Sequence, residues 1–176
     1  MAGPSAIDHP PEFDEAHDYG LIELLFFAYR DFVGDADQML DRYGFGRAHH
    51  RVLHFVNRRP GLTVADLLDI LKITKQSLGP VLRELVDGGY LVQKASHLDR
   101  RKRLLFPTPQ GRDLSSHLTK MQSRRIREAL AAAKPGMRPQ IERFLMAMIE
   151  PEERDIVQQK TLPMTALDAE AALRSE

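Results

Sequence analysis

Thr74-Lys75-Gln76-Ser77-Leu78-Gly79-Pro80-Val81-Leu82-Arg83-Glu84-Leu85-Val86-Asp87-Gly88-Gly89 is the segment on which the reading of the fold turns. Thr74 is a candidate N-cap, Leu78, Val81, Leu82, Leu85 and Val86 recur at helical spacing, and the paired glycines stop the helix. A short apolar strand follows. Then come the tip His97-Leu98-Asp99-Arg100-Arg101-Lys102-Arg103 and a second strand, Leu104-Leu105-Phe106. A helix followed by a two-stranded hairpin with an arginine-loaded tip has the shape of a winged helix. It offers a helix to the major groove and a charged tip to the flanking backbone or minor groove.

Upstream, Thr63 with Asp66 three residues on resembles a capping box, opening a short helix with Leu67, Leu68 and Leu71 inward. The resulting helix–turn–helix leaves Thr74, Lys75, Gln76, Ser77 and Arg83 as candidate DNA contacts. Gln and Ser can bond base edges, and Lys and Arg can bond guanine or phosphate. His97, Asp99, Arg100, Arg101, Lys102 and Arg103 complete the candidate set from the wing. Polar residues on one helix face are weak evidence alone; the basic hairpin that follows gives them weight.

The 176 residues carry no net charge, so the distribution decides. Six acidic residues and no Lys or Arg precede Arg30, and the chain from Glu150 onward has 7 acidic against 3 basic residues. Between Arg42 and Arg143 there are 21 basic and 8 acidic residues, an excess of 13 positive charges. A basic middle between acidic ends is the electrostatic footprint of a module that faces phosphate, although basic helix faces also occur on proteins that never touch DNA. Cysteine is absent, which excludes disulfides, thiolate redox sensing and Cys-ligated zinc. The opening Met-Ala-Gly-Pro-Ser-Ala has neither the charge nor the apolar run of a signal peptide, and Leu24 to Tyr29 is too short to span a bilayer. A cytoplasmic location without membrane attachment is expected.

Residues 1–17 read as a Pro-rich acidic arm, and residues 18–42 as an N-terminal dimerisation helix. Its Leu21, Ile22, Leu24, Leu25, Phe26, Phe27, Tyr29 and Phe32 are apolar on nearly all sides, which implies burial on more than one face. Residues 43–108 form the winged lobe. Thr108-Pro109 starts a long helix broken at Pro135-Gly136, and residues 109–160 supply this linker and further dimerisation helices, with Ile141, Phe144, Leu145, Met148 and Ile149 at helical spacing. Residues 161–176 are a tail. The fold expected is mostly α with a small β-hairpin wing, dimerising through helices from both chain ends; an intramolecular bundle is the alternative.

The order of parts over residues 19 to 150 resembles the MarR family of bacterial winged-helix regulators. Asp99-x-Arg101, then Thr108 and Gln110-Gly111, looks like that family's Asp-x-Arg wing and Leu-Thr-x-x-Gly segment, with Pro107 in place of the usual Leu. Leu24 to Phe32, Arg47-Ala48-His49-His50-Arg51 and Ile73 to Leu78 are similar to an alphaproteobacterial, PetP-like subgroup. The resemblance implies a homodimer on a pseudo-palindromic double-stranded operator, commonly a repressor released by a small lipophilic effector. It implies that Arg101 enters the minor groove with Asp99 bracing its guanidinium, a pre-aimed cation reading groove shape. It also places an effector between the dimerisation helices and the lobe, where Phe27, Arg30, His50 and His54 are the candidates.

Gly79-Pro80 departs from the family pattern. Proline removes the amide that would bond the Gln76 carbonyl, unless the helix starts late enough to put Pro80 in its first turn. Both possibilities stand at this level. His50 and His54, four apart, suit metal or haem ligation, but no third ligand is identifiable; packed histidines are the simpler reading and no cofactor is expected. The chain has no nucleophile elbow, complete phosphate loop, HExxH or glycine-rich dinucleotide turn, so no enzyme is expected. Two alternatives to a DNA-binding regulator with a small effector remain: a winged-helix protein-interaction module, and a metal- or haem-responsive regulator using His50 and His54.

Overall fold

The computed structural model describes residues 15–96 and 102–161. The tip residues His97, Leu98, Asp99, Arg100 and Arg101 lie outside them, as do residues 1–14 of the acidic arm and the tail from residue 162. The elements are α1 (Glu15–Asp41), α2 (Arg47–Arg58), β1 (Leu62–Thr63), α3 (Val64–Leu71), α4 (Lys75–Asp87), β2 (Leu91–Ala95), β3 (Arg103–Pro107), α5 (Pro109–Ala132), α6 (Arg138–Ala147) and α7 (Pro151–Thr161). The fold is a mostly helical chain with a winged helix–turn–helix lobe. Among the described residues no helix is long and apolar enough to cross a membrane.

The helix starts follow the residues that can cap them. Thr63 and Asp66 form the reciprocal box: the Thr63 amide donates to the Asp66 carboxylate (2.8 Å) and the Asp66 amide to the Thr63 hydroxyl (3.1 Å). Thr74 accepts from the Ser77 amide (3.2 Å) and Thr108 from the Gly111 amide (3.0 Å). Between α3 and α4 the chain turns within three residues because Lys72 adopts the left-handed conformation (φ 51°) that ends α3. Lys72 also pairs with Glu153 of α7 (2.8 Å), so the turn is held from outside the lobe.

The sheet has three antiparallel strands in the order β1-β3-β2, one more than the hairpin read from sequence. β1 is two residues long, Leu62 facing Leu105 and Thr63 facing Leu104. β2 and β3 pair from Leu91 opposite Pro107 to Ala95 opposite Arg103. The lobe's core closes over Val52, Leu53, Leu67, Leu78, Leu85 and Leu105, all essentially inaccessible to solvent.

α1 and α5 each change surroundings along their length. Val33, Ala36 and Leu40 of α1 and Leu114 and Leu118 of α5 are buried. Leu24 and Phe26, further up α1, are 65% and 70% exposed, and Ile126 of α5 is exposed as well. The helices are joined above the lobe by Arg125 and Asp35 at 2.8 Å. α6 buries none of its residues, leaving Phe144 and Leu145 about half exposed.

Candidate nucleic-acid interface

α4 turns Leu78, Leu82 and Leu85 into the core and leaves Thr74, Lys75, Gln76, Ser77 and Arg83 exposed. The Thr74 and Ser77 hydroxyls are within hydrogen-bond distance of each other (3.0 Å), so the cap orders both. Neither Lys75 nor Arg83 is in an ion pair among the described residues. Two free cations and the positive end of a helix dipole therefore share one outward surface, an arrangement suited to phosphate.

Pro80 is inside α4. The helix begins at Lys75, so the late start that would have placed Pro80 in the first turn does not occur. The Gln76 carbonyl has no amide to receive from position 80, and the exposed pyrrolidine ring stands on the outer surface between Gln76 and Arg83.

The hairpin continues this basic surface. Lys102 and Arg103 are exposed, and the Ser96 amide bonds the Lys102 carbonyl (3.0 Å), holding the strands together at the last described rung. Lys94 on β2 lies over the Phe106 ring, 5.0 Å from its centroid, a cation that the sequence reading did not single out.

His49 was also missed as a functional residue. It lies at the third position of α2, where its Nδ1 accepts the Gly46 amide (3.0 Å). Its Nε2 is 2.8 Å from the Glu84 carboxylate on α4. An accepting Nδ1 requires the proton on Nε2, which then donates to Glu84. The ring stacks on Phe45 (centroids 4.6 Å apart) and is nearly buried. One imidazole thus caps α2 and ties it to the helix bearing the candidate DNA contacts. A Gly-x-x-His cap is weaker as a sequence signal than the usual Ser-x-x-Glu, and Glu84 is 35 residues away.

A second feature lies among α1, α2 and α5. Tyr29, Phe32, Val33, His50, His54 and Phe55 line a cavity of about 210 Å³, with Arg47, Arg51 and Gln122 also at its wall. Arg51 donates to the Tyr29 hydroxyl (3.2 Å). The structure brings His50 and His54 together here but leaves Phe27 and Arg30 outside the lining. Those two stack on each other (4.9 Å), and Arg30 pairs with Asp31 on the exposed side of α1. Among the described residues no cluster of three His, Cys, Asp or Glu is placed to hold a metal ion.

Burial pushes both imidazoles below the ordinary value of 6.5, Arg51 adding to this at His50 and His50 and Arg58 at His54, while Asp37 and Gln122 oppose it at His50. A depressed folded pKa means that the unfolded chain takes up protons first as pH falls. The stabilisation is therefore present above the unfolded value and lost as pH falls through the folded ones. Unfolding by urea is expected to show lower stability at about pH 5.5 than at about pH 7.5, with a flatter dependence in His50→Gln/His54→Gln. An unchanged slope in that variant would remove the two histidines as the cause.

Residues 43–102 match the profile of the MarR family. The chain is 45% identical over 133 residues to the HTH-type transcriptional regulator PetP of Rhodobacter capsulatus, covering 76% of this chain and 80% of that protein. Among solved structures, Streptococcus pneumoniae FabT in complex with DNA superposes with a TM-score of 0.66 at 16% identity, over 74% of this chain and 93% of that one. The Staphylococcus aureus MepR–DNA complex gives 0.60 at 19% identity, over 72% and 93%. At such identities these two structures speak for the fold.

Proposed function

The chain belongs to the MarR family of transcriptional regulators, and we propose that it acts as a cytoplasmic homodimer on a pseudo-palindromic operator, under the control of a small molecule. In this reading α4 enters the major groove through Thr74, Lys75, Gln76, Ser77 and Arg83. The wing, through His97, Asp99, Arg100, Arg101, Lys102 and Arg103, follows the flanking backbone and minor groove. The observation that carries it is the unpaired cationic face of α4 beside the exposed Lys102 and Arg103. Pro80 confines base contacts to the first turn of α4, since the ring covers the surface beyond Gln76.

The cavity around His50 and His54 is the candidate effector site. Its apolar walls with neutral imidazoles fit a lipophilic molecule carrying a hydrogen-bonding group. An effector there touches α1, α2 and α5 together, and so can bias how the lobe is held against the dimerising helices. Phe27 and Arg30 join the site only if the second protomer closes over α1.

The test begins with sheared genomic DNA passed over the full-length protein, followed by sequencing of what is retained. Enrichment of short pseudo-palindromes supports the reading; uniform retention means phosphate binding without base readout. On a recovered operator, Arg101→Ala is expected to weaken binding at least about tenfold by anisotropy, since a braced cation in a narrow groove is lost without touching the core. Affinity should fall with salt at about 0.9 log units per neutralised phosphate. Unchanged affinity in the variant, or a flat salt titration, would count against the wing and the basic surface respectively.

A further inference from the structure

Around the C-terminal half of α2 lies a cleft that the regulator's DNA surface and effector cavity do not account for. It has a volume of about 290 Å³, and Arg58 from α2 meets Lys120 and Arg127 from α5 there. No carboxylate lines it. Arg124 and Arg125 nearby are matched by Glu128 (3.8 Å) and Asp35 (2.8 Å), whereas Arg58, Lys120 and Arg127 are in no ion pair among the described residues. Ser116, Thr119 and Ser123 present hydroxyls to the same space, recurring with Lys120 and Arg127 at three- and four-residue spacing on one face of α5.

Ser115 is the second observation. It is only 3% exposed, it lines the cleft, and its hydroxyl makes none of the hydrogen bonds found among the described residues. A hydroxyl on an otherwise buried residue, open only to this cleft beside three unmatched cations, is a donor free for a bound molecule. The cleft also faces away from α4. His54 is five residues beyond His49, about 140° further around α2, and it is His49 that bonds Glu84 of α4.

We propose that this cleft binds a compact oxyanion of two or more charges, with Arg58, Lys120 and Arg127 as its counter-charges and Ser115 donating from the floor. Guanidinium groups bond the oxygens of phosphate and carboxylate in the same paired geometry, so both a phosphate-bearing molecule and a polycarboxylate share the required chemistry. The site is separate from the effector cavity apart from His54, which lines both.

The test is calorimetric titration of the full-length protein with pyrophosphate and with citrate, at ionic strength held constant by sodium chloride. Saturable binding to each chain is expected, weakened at least about tenfold in Arg58→Gln/Arg127→Gln, as loss of charge-assisted hydrogen bonds implies. Ser115→Ala leaves the charge unchanged and is expected to weaken binding about threefold or more, which ion accumulation at a basic surface would not show. Tighter binding of pyrophosphate assigns phosphate as the natural chemistry and tighter binding of citrate assigns carboxylate, and either supports the site. No saturable heat, or binding undiminished in both variants, overturns it. So does a double variant that binds pyrophosphate normally but binds DNA more weakly with a shallower salt dependence, since the cations then serve the DNA backbone.

Discussion

Leu24→Glu/Phe26→Glu is expected to halve the sedimenting mass, from about 40 kDa to the 20.0 kDa of one chain, and to weaken operator binding about 100-fold or more. Both side chains are about two-thirds exposed and lie above the part of α1 that enters the core, so the lobe itself should keep its thermal stability. The run Tyr19 to Tyr29 leaves six further large apolar or aromatic side chains at comparable exposure, and Phe144, Leu145 and Met148 add to them from the α6 region. A surface of this kind marks an interface. Two lobes on one palindrome bind with the advantage of linkage, because the first contact raises the local concentration of the second. Two carboxylates placed at the centre of such an interface would have to be buried unpaired. If sedimentation showed a single chain before substitution, or an unchanged dimer after it, the proposed interface would be wrong.

α4 and α1 show where the sequence was legible and where it was not. α4 could be read almost residue by residue, because one side is polar and the other repeats Leu78, Leu82 and Leu85; its cap at Thr74 and its stop at the glycines follow local rules. The upper part of α1 is apolar on every side, so periodicity could not tell which residues face the cavity. Phe27 and Arg30, candidates through the family resemblance, lie outside its lining, where Tyr29, Phe32 and Val33 stand. β1 escaped because two residues show no alternation; its place is fixed by Leu105, 43 positions away, and by the Gly61 amide bonding the Leu105 carbonyl (2.8 Å). The tie between His49 and Glu84 is likewise a tertiary event between residues that are locally ordinary. The place of Pro80 hangs on whether the candidate cap Thr74 is used, and the Ser77 amide bond to its hydroxyl (3.2 Å) puts the proline inside α4.

Gly111→Ala is expected to cost about 3 kcal/mol, the upper part of the range for inserting a methyl into packed structure, and to lower Tm by about 6–12 °C for a chain of this size. A Cβ at this position would sit 3.0 Å from the Tyr90 carbonyl carbon and closer still to its oxygen. Backbone cannot swing aside as a side chain can, and here it is held from several directions. The Thr108 hydroxyl donates to the Gly89 carbonyl (2.7 Å) while accepting the Gly111 amide (3.0 Å), and the Thr108 amide donates to the Tyr90 carbonyl (3.1 Å). Thr108 and Gly111 thus fasten the start of α5 to the turn that leaves α4, which gives the Thr-x-x-Gly spacing its physical reason. Gly34→Ala is the matched control, because an added Cβ there meets nothing within 4 Å and no proline follows it. In the interior of α1 it should raise stability by about 0.5–1 kcal/mol, as alanine loses less backbone freedom than glycine. Opposite signs from one chemical change would separate close packing from chain entropy. A loss of less than about 2 °C for Gly111→Ala, well under what overpacking implies, would mean that α5 can move off the turn and that this junction does not hold the wing against the helices.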